Sequence, residues 1–194
     1  MEARERLMEA ALRVFQEAGS RGATTRKIAA EAGVNEITLF RHFGSKGALM
    51  AEAIACAAQR GFEYRLPGEP VDPATELTEW GREHLAHLRR SSGMIRTCMG
   101  EMEHAPEIRA CAGAGPRHVS EELRGYLGQL QERGMADPRV DVNAATAVLM
   151  GALFGDAMMR DMMPEHFPYT SEEAPAKYVE LLLRGIGATA RPPS

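Results

Sequence analysis

The feature that most restricts this chain is a glycine set between two short segments of helical period. From Thr24 to Lys46 it reads Thr-Thr-Arg-Lys-Ile-Ala-Ala-Glu-Ala-Gly-Val-Asn-Glu-Ile-Thr-Leu-Phe-Arg-His-Phe-Gly-Ser-Lys. Thr24 or Thr25 supplies an N-cap hydroxyl, and Ile28, Ala29 and Ala32 make one apolar face of a first helix. Gly33 can take positive φ without steric cost and stop that helix, Val34 can turn back into a core, and Asn35 can cap a second helix running to about Phe43. In the second helix Leu39 and Phe43 fall on the inner side, leaving Asn35, Glu36, Thr38, Arg41 and His42 largely outward. Two short helices crossing through such a turn describe a DNA-binding helix-turn-helix.

The charge placement favours an anionic partner. Arg26 and Lys27 stand in the first turn of a helix, where the positive end of the macrodipole disfavours cations. A docked phosphate reverses that cost, because backbone N–H groups at a helix start and the neighbouring basic side chains both accept it. The alternative is an ordinary solvated helix start.

The run from Thr24 through Val34, followed by Thr38-Leu39-Phe40-Arg41-His42-Phe43 and Ser45-Lys46, resembles the N-terminal domain of the tetracycline-repressor (TetR) family of bacterial transcription regulators. The likeness in motif covers about residues 4–50; the remainder is similar to the family in length and all-helical character only. It implies phosphate contacts from Thr25, Arg26 and Lys46 and base contacts from Asn35, Glu36, Thr38 and Arg41. With their neighbours Thr24, Lys27, Phe40 and His42, these make the candidate DNA-binding set. Two positions depart from the family. Phe40 stands where Tyr is usual, so a phosphate-donating hydroxyl is missing and the ring is expected to pack, and Ile37 stands where a small residue is common.

A chain of 194 residues holds one large or two small domains and needs no disulfide to fold. Cys56, Cys98 and Cys111 are odd in number, and no apolar leader follows the charged start, so a reducing cytoplasm is expected. The longest uncharged run, Val142–Gly155, is 14 residues, short of the roughly 20 of a membrane span. The net charge of −4 hides a division: residues 1–50 carry eight Lys or Arg against six acids, the remainder fifteen against twenty-one. That polarity suits a protein that docks one end on a polyanion.

In chain order, Arg4–Ala18 carries the stripe Leu7, Ala10, Ala11, Val14, Phe15 and Ala18, ended by Gly19. After a turn capped by Ser45, a helix is expected toward about Leu66. Pro67, Gly68, Pro70 and Pro73 make a loop. Segments near 74–90, 94–104, 106–133, 141–163 and 172–187 all read at helical spacing, with Pro106 opening a helix, Gly113 and Gly115-Pro116 able to split the third segment, Gly134 ending it and Asp137-Pro138 turning. The fold class expected is all-α: an N-terminal three-helix helix-turn-helix domain over residues 1–48 and a helical ligand-binding and dimerisation domain over 49–194.

The segment from Val142 is apolar almost all round, and Tyr178–Ile186 has a similar surplus. Together they form half of a four-helix dimer interface, through Val148, Gly151, Ala152, Gly155, Met159, Tyr178, Leu182 and Ile186, or else both are core helices of a monomer. Dimerisation suits two reading heads about one DNA turn apart, roughly 34 Å, on a palindromic operator. Nine of the twelve methionines fall from Met94 to Met163, and flexible thioethers suit either a core or an adaptable apolar pocket. The resemblance implies a small-molecule inducer, with Trp80, His84, Met99, Met102, Tyr126 and Phe154 as candidate lining for an apolar or amphipathic ligand. His84 and His87 with Cys98, Glu101, Glu103, His104 and Cys111 could be arranged around a metal, yet no ligand spacing stands out, and Cys98 with Cys111 could switch by redox or simply be buried. No metal, cofactor or catalytic residue is assigned, since no phosphate loop, nucleophile elbow or His-Glu-x-x-His is present. The expected function is a homodimeric, ligand-released repressor; its rival is a small-molecule sequestering protein whose helix-turn-helix no longer reads DNA.

Overall fold

The computed structural model describes residues 2–59, 64–102 and 114–188, and among these residues the chain is helical with no strand. The helices are α1 (Ala3–Gly22), α2 (Thr25–Glu31), α3 (Glu36–Phe43), α4 (Lys46–Gln59), α5 (Pro73–Arg90), α6 (Ser92–Glu101), α7 (Ala114–Glu132), α8 (Val142–Met159) and α9 (Ala174–Gly185), with a 3₁₀ turn at Pro164–His166. They divide into two compact units, one of α1–α4 with α6 and the other of α5, α8, α9 and α7 from Arg117 on.

In the first unit α1 is the central helix, lying against α2, α3, α4 and α6. Its stripe buries Leu7, Ala10, Ala11, Val14 and Phe15, which meet Ile28, Leu39, Leu49, Met50, Ala53 and Ile54 in one core. Each fully buried Leu, Ile or Phe contributes about 1.5–3 kcal/mol. Gly19 leaves helical geometry at φ 64°, ψ −175°, so regular helix stops where the sequence put the stop. The cut expected between residues 48 and 49 falls inside this packing, because α4 commits four side chains to it. Cys98 of α6 is buried there too, with Met94 and Met102 packed against the same core.

In the second unit α5 lies against α8 and α9, around Leu77, Trp80, Leu123, Leu127, Leu130, Leu149, Leu153 and Val179. The proline-rich stretch from Pro67 is non-helical as expected, but the backbone is already non-helical at 64–66, where the preceding helix was expected to reach about Leu66; Pro73 is the first residue of α5. Asp72 caps that helix through the Thr75 N–H and hydroxyl (3.3 and 2.8 Å). Gly115 and Pro116 lie in the first turn of α7, while Pro106, Gly113 and Cys111 lie outside the described residues. The connection from α7 to α8 is held by Gln131 Nε2, which donates to the carbonyls of Asp137 and Val140 (both 2.8 Å).

Helix α8 extends past the uncharged run by taking in Asp156 and reaches 18 residues, long and apolar enough by composition alone to cross a membrane. Helices in protein cores share that property. The far end of α8 is fixed by a buried ion pair: Asp156 is 1% exposed and accepts from Arg160 Nε and Nη2 (2.8 and 2.6 Å) and from the Tyr178 hydroxyl (2.7 Å). Arg160 also donates to the carbonyls of Phe167 and Tyr169, so one guanidinium joins α8, the following loop and, through Tyr178, α9. The cue in sequence was the Asp156–Arg160 pair at i, i+4 closing an uncharged helix.

Candidate nucleic-acid interface

The geometry from Thr24 to Lys46 follows from caps at each end of two short helices. The Lys27 N–H donates to Thr24 Oγ1 (3.2 Å), making Thr24 the N-cap of α2. At the other end Gly33 N–H donates to the Ala30 carbonyl (3.1 Å) and Val34 N–H to the Ala29 carbonyl (3.0 Å), the paired bonds of a Schellman stop. Gly33 has φ +64°, a conformation in which any side chain would be strained. Asn35 Oδ1 then accepts from Ile37 N–H (2.9 Å) and starts α3. Leu39 is fully buried against the first unit's core with Phe43 half-buried beside it, and the Arg4 guanidinium sits 5.2 Å from the centre of the Phe43 ring.

This arrangement presents Arg26 and Lys27 to solvent in the first turn of α2, with no acid in that turn. Arg41, His42 and Asn35 are exposed on α3 and Thr38 is half-buried. Three of the expected contact groups, Thr25, Glu36 and Lys46, are engaged within the protein. The Thr25 hydroxyl donates to Glu36 Oε1 at 2.5 Å, pinning α2 to α3, which leaves Glu36 less free to accept from a base. Lys46 Nζ donates to the Ser20 carbonyl (2.8 Å) and ties the start of α4 to the end of α1. Ser45 Oγ caps α4 by accepting from Ala48 N–H (3.0 Å).

Phe40 differs from expectation. The residue is 48% exposed rather than packed away, and Ile37, three residues earlier on the same side of α3, is 74% exposed. The inward side of an eight-residue helix has room for Leu39 and Phe43 only, so the remaining large apolar residues point out.

The candidate ligand residues do not gather in one unit. Trp80 and His84 are buried in α5, their rings stacked with centroids 5.3 Å apart. Burial, with His87 nearby as a smaller cause, lowers the His84 pKa to about 4 and keeps it neutral at neutral pH. Tyr126 is buried in α7 and donates to Glu76 Oε2 (2.5 Å); burial first, then Glu76, raises its pKa. Phe154, by contrast, is 36% exposed, and Met99 is 52% exposed on α6 in the other compact unit, where Met102 packs on that unit's core. Among the described residues no three metal-ligating side chains gather.

The candidate dimer residues also divide. On α8, Val148 is 66% and Met159 37% exposed. Gly151 is exposed, Ala152 and Gly155 are half-buried, and the space a Cβ would occupy at either glycine is open. On α9, however, Leu182 and Ile186 are buried in their own unit and Tyr178 is drawn to Asp156. The reason is helical phase: Val179, Leu182 and Ile186 fall on the side facing the unit's core, whereas Leu181 is 69% exposed.

The comparisons with known proteins agree with this geometry. The family described as "Bacterial regulatory proteins, tetR family" matches residues 7–53, and "AefR-like transcriptional repressor, C-terminal domain" matches residues 75–184. An uncharacterized HTH-type transcriptional regulator of Bacillus subtilis strain 168, YvkB, is 24% identical over 185 residues, 95% of this chain and 97% of that protein. The class D tetracycline repressor protein of Escherichia coli is 38% identical over 64 residues, 33% of this chain and 29% of that one. Among solved structures, the TetR family transcriptional regulator PfmR from Thermus thermophilus superposes with a TM-score of 0.65 at 26% identity, over 92% of this chain and 97% of that one. FadR from Bacillus subtilis, in complex with stearoyl-CoA, superposes with a TM-score of 0.71 at 19% identity, over 94% and 98%. With its exposed basic turn, its capped pair of short helices and family matches over both regions, this chain belongs to the tetR family and is a DNA-binding transcriptional regulator.

Proposed function

We propose that the protein is a repressor that binds a palindromic operator as a homodimer and is released by a small apolar or amphipathic molecule. The observation that carries the DNA half of this reading is the cationic first turn of α2 beside the outward face of α3. The start of α2 meets phosphate, while the N-terminal residues of α3 enter the major groove. Reading belongs to residues 1–48, with Arg26 and Lys27 as phosphate contacts and Asn35, Thr38 and Arg41 as candidates for base edges. Ligand response and dimerisation belong to residues 49–194. Reading DNA implies work in the cytoplasm.

For pairing, the exposed apolar side of α8 around Val148 and Gly151, extended by Leu181 of α9, is the surface that a second copy would cover. For the ligand, the buried Trp80, His84 and Tyr126 combine apolar bulk with polar tips. The structural likeness to a regulator in complex with stearoyl-CoA makes long-chain acyl compounds the first class to try. A ligand releases DNA only through its difference in affinity between the binding-competent and incompetent arrangements.

The test is selection from random duplexes followed by a salt titration. A palindrome should be enriched, and Arg26→Ala should weaken binding on every sequence while lowering the log–log salt slope by about 0.9 for each phosphate it no longer neutralises. Enrichment of no palindrome, together with tight acyl-ligand binding, would favour the sequestering role instead.

A further inference from the structure

We infer that Ile37 and Phe40 form a methyl-reading patch that seats the C5-methyl group of a pyrimidine in the operator's major groove. The inference rests on the proposal that α3 enters that groove. Ile37 is 74% and Phe40 48% exposed; they stand three residues apart and so share one side of the helix. Ile37 lies in the first turn of α3, the part of a recognition helix that reaches base edges.

The polar neighbours are less available than their exposure suggests. Asn35 Oδ1 is the cap acceptor for Ile37 N–H, and Glu36 Oε1 takes the Thr25 hydroxyl. Recruiting Glu36 to a base would draw on the bond that pins α2 to α3, and turning Asn35 Oδ1 to a base would draw on the cap of α3. Beside the half-buried Thr38, what the first turns of α3 offer without such rearrangement is the branched side chain of Ile37 and the ring of Phe40, bordered by Arg41 and His42.

An apolar pair within a cationic surface has one natural counterpart on duplex DNA. The pyrimidine C5-methyl is the apolar group displayed in the major groove, and it lies among acceptors and phosphates that suit the flanking cations. Thymine carries this methyl in every duplex; 5-methylcytosine carries the same group where cytosine is modified. Phe40 fits the role better than Tyr would, since a phenol here would bring a hydroxyl that needs a polar partner.

The experiment uses the full-length protein and its selected operator. Each thymine is replaced singly by deoxyuridine, which removes the methyl and changes nothing else on the groove edge. One or two positions per half-site should lose about fourfold in affinity per methyl, the value of one buried apolar carbon. Ile37→Ala or Phe40→Ala should remove that loss at its own position, so that thymine and deoxyuridine operators bind alike. Both side chains are exposed, so these variants keep the fold, checked by an unchanged thermal midpoint. Where a selected half-site has cytosine at the sensitive position, C5-methylation should strengthen binding by the same factor and identify methylcytosine as the source. Binding that ignores every methyl group, or methyl dependence that survives both substitutions, overturns this inference and leaves the DNA-binding proposal standing. Failure to bind any duplex at low salt overturns both.

Discussion

Helices α3 and α8 both hold large apolar side chains in water, and they do so in opposite electrostatic settings. On α3, Ile37 and Phe40 share a short helix with the exposed Arg41 and His42, and its Glu36 is tied to Thr25 in the basic first turn of α2. On α8, Val148 and Phe154 share an exposed side with Ala144, Ala147 and Gly151, and the helix's only ionised side chain, Asp156, is turned inward to Arg160. The first surface suits a polyanion that also displays methyl groups. The second suits only another uncharged apolar surface, and a second copy of the same helix is the simplest such partner. The same residue class thus specifies different partners according to the charge around it.

The largest test of this contrast places a charge on the uncharged side. Val148→Glu brings two like charges together wherever two copies of α8 meet, and should yield monomers in analytical ultracentrifugation. Binding to a full palindrome should fall by roughly 100-fold, because the second half-site no longer benefits from linkage, while binding to a single half-site stays within about twofold. A dimer that survives Val148→Glu would break the comparison by moving pairing to another surface.

A second test concerns the inward side of α8. Asp156→Ala would leave the mostly buried Arg160 without its carboxylate, and the loss should be about 3–5 kcal/mol, read from the urea midpoint. A cost below about 1 kcal/mol would mean that the Phe167 and Tyr169 carbonyls alone satisfy the guanidinium.

The smallest effect is a pH dependence confined to the second unit. His84 titrates near 4 in the folded chain, against an ordinary value of 6.5. The unfolded chain therefore binds a proton that the folded chain does not between those values. Stability present above pH 6.5 is lost as pH falls toward 4, by at most about 3 kcal/mol. The dependence should flatten in His84→Leu when urea midpoints are followed from pH 7 to 4. An equally steep fall in that variant would assign acid sensitivity to other groups.

Most of the first unit was legible because its signals are local. Thr24, Gly33, Asn35, Gly44 and Ser45 each act within a few residues of themselves, and the stripe from Leu7 to Phe15 has one period and one buried side. The second unit was legible as helices but not as surfaces. A helix that is apolar all round does not declare which side its own chain will cover, so Leu182 and Ile186 were expected outside and are inside, while Leu181 is the exposed one. Met99 misled for a related reason: composition grouped it with the later methionines, whereas packing joined α6 to the first unit.

By itself the sequence determined the all-helical class, the helix boundaries that end in a cap or a positive-φ glycine, and the helix-turn-helix, since all of these depend on residues near one another along the chain. Only the tertiary structure decided that Glu36 is tied to Thr25, that Ile37 and Phe40 face water, and that Asp156 gathers Arg160 and Tyr178 in the interior. Those outcomes depend on which sides of helices distant in sequence are brought together. A pattern of period 3.6 gives the direction of a side chain around its own helix, but not what stands opposite it.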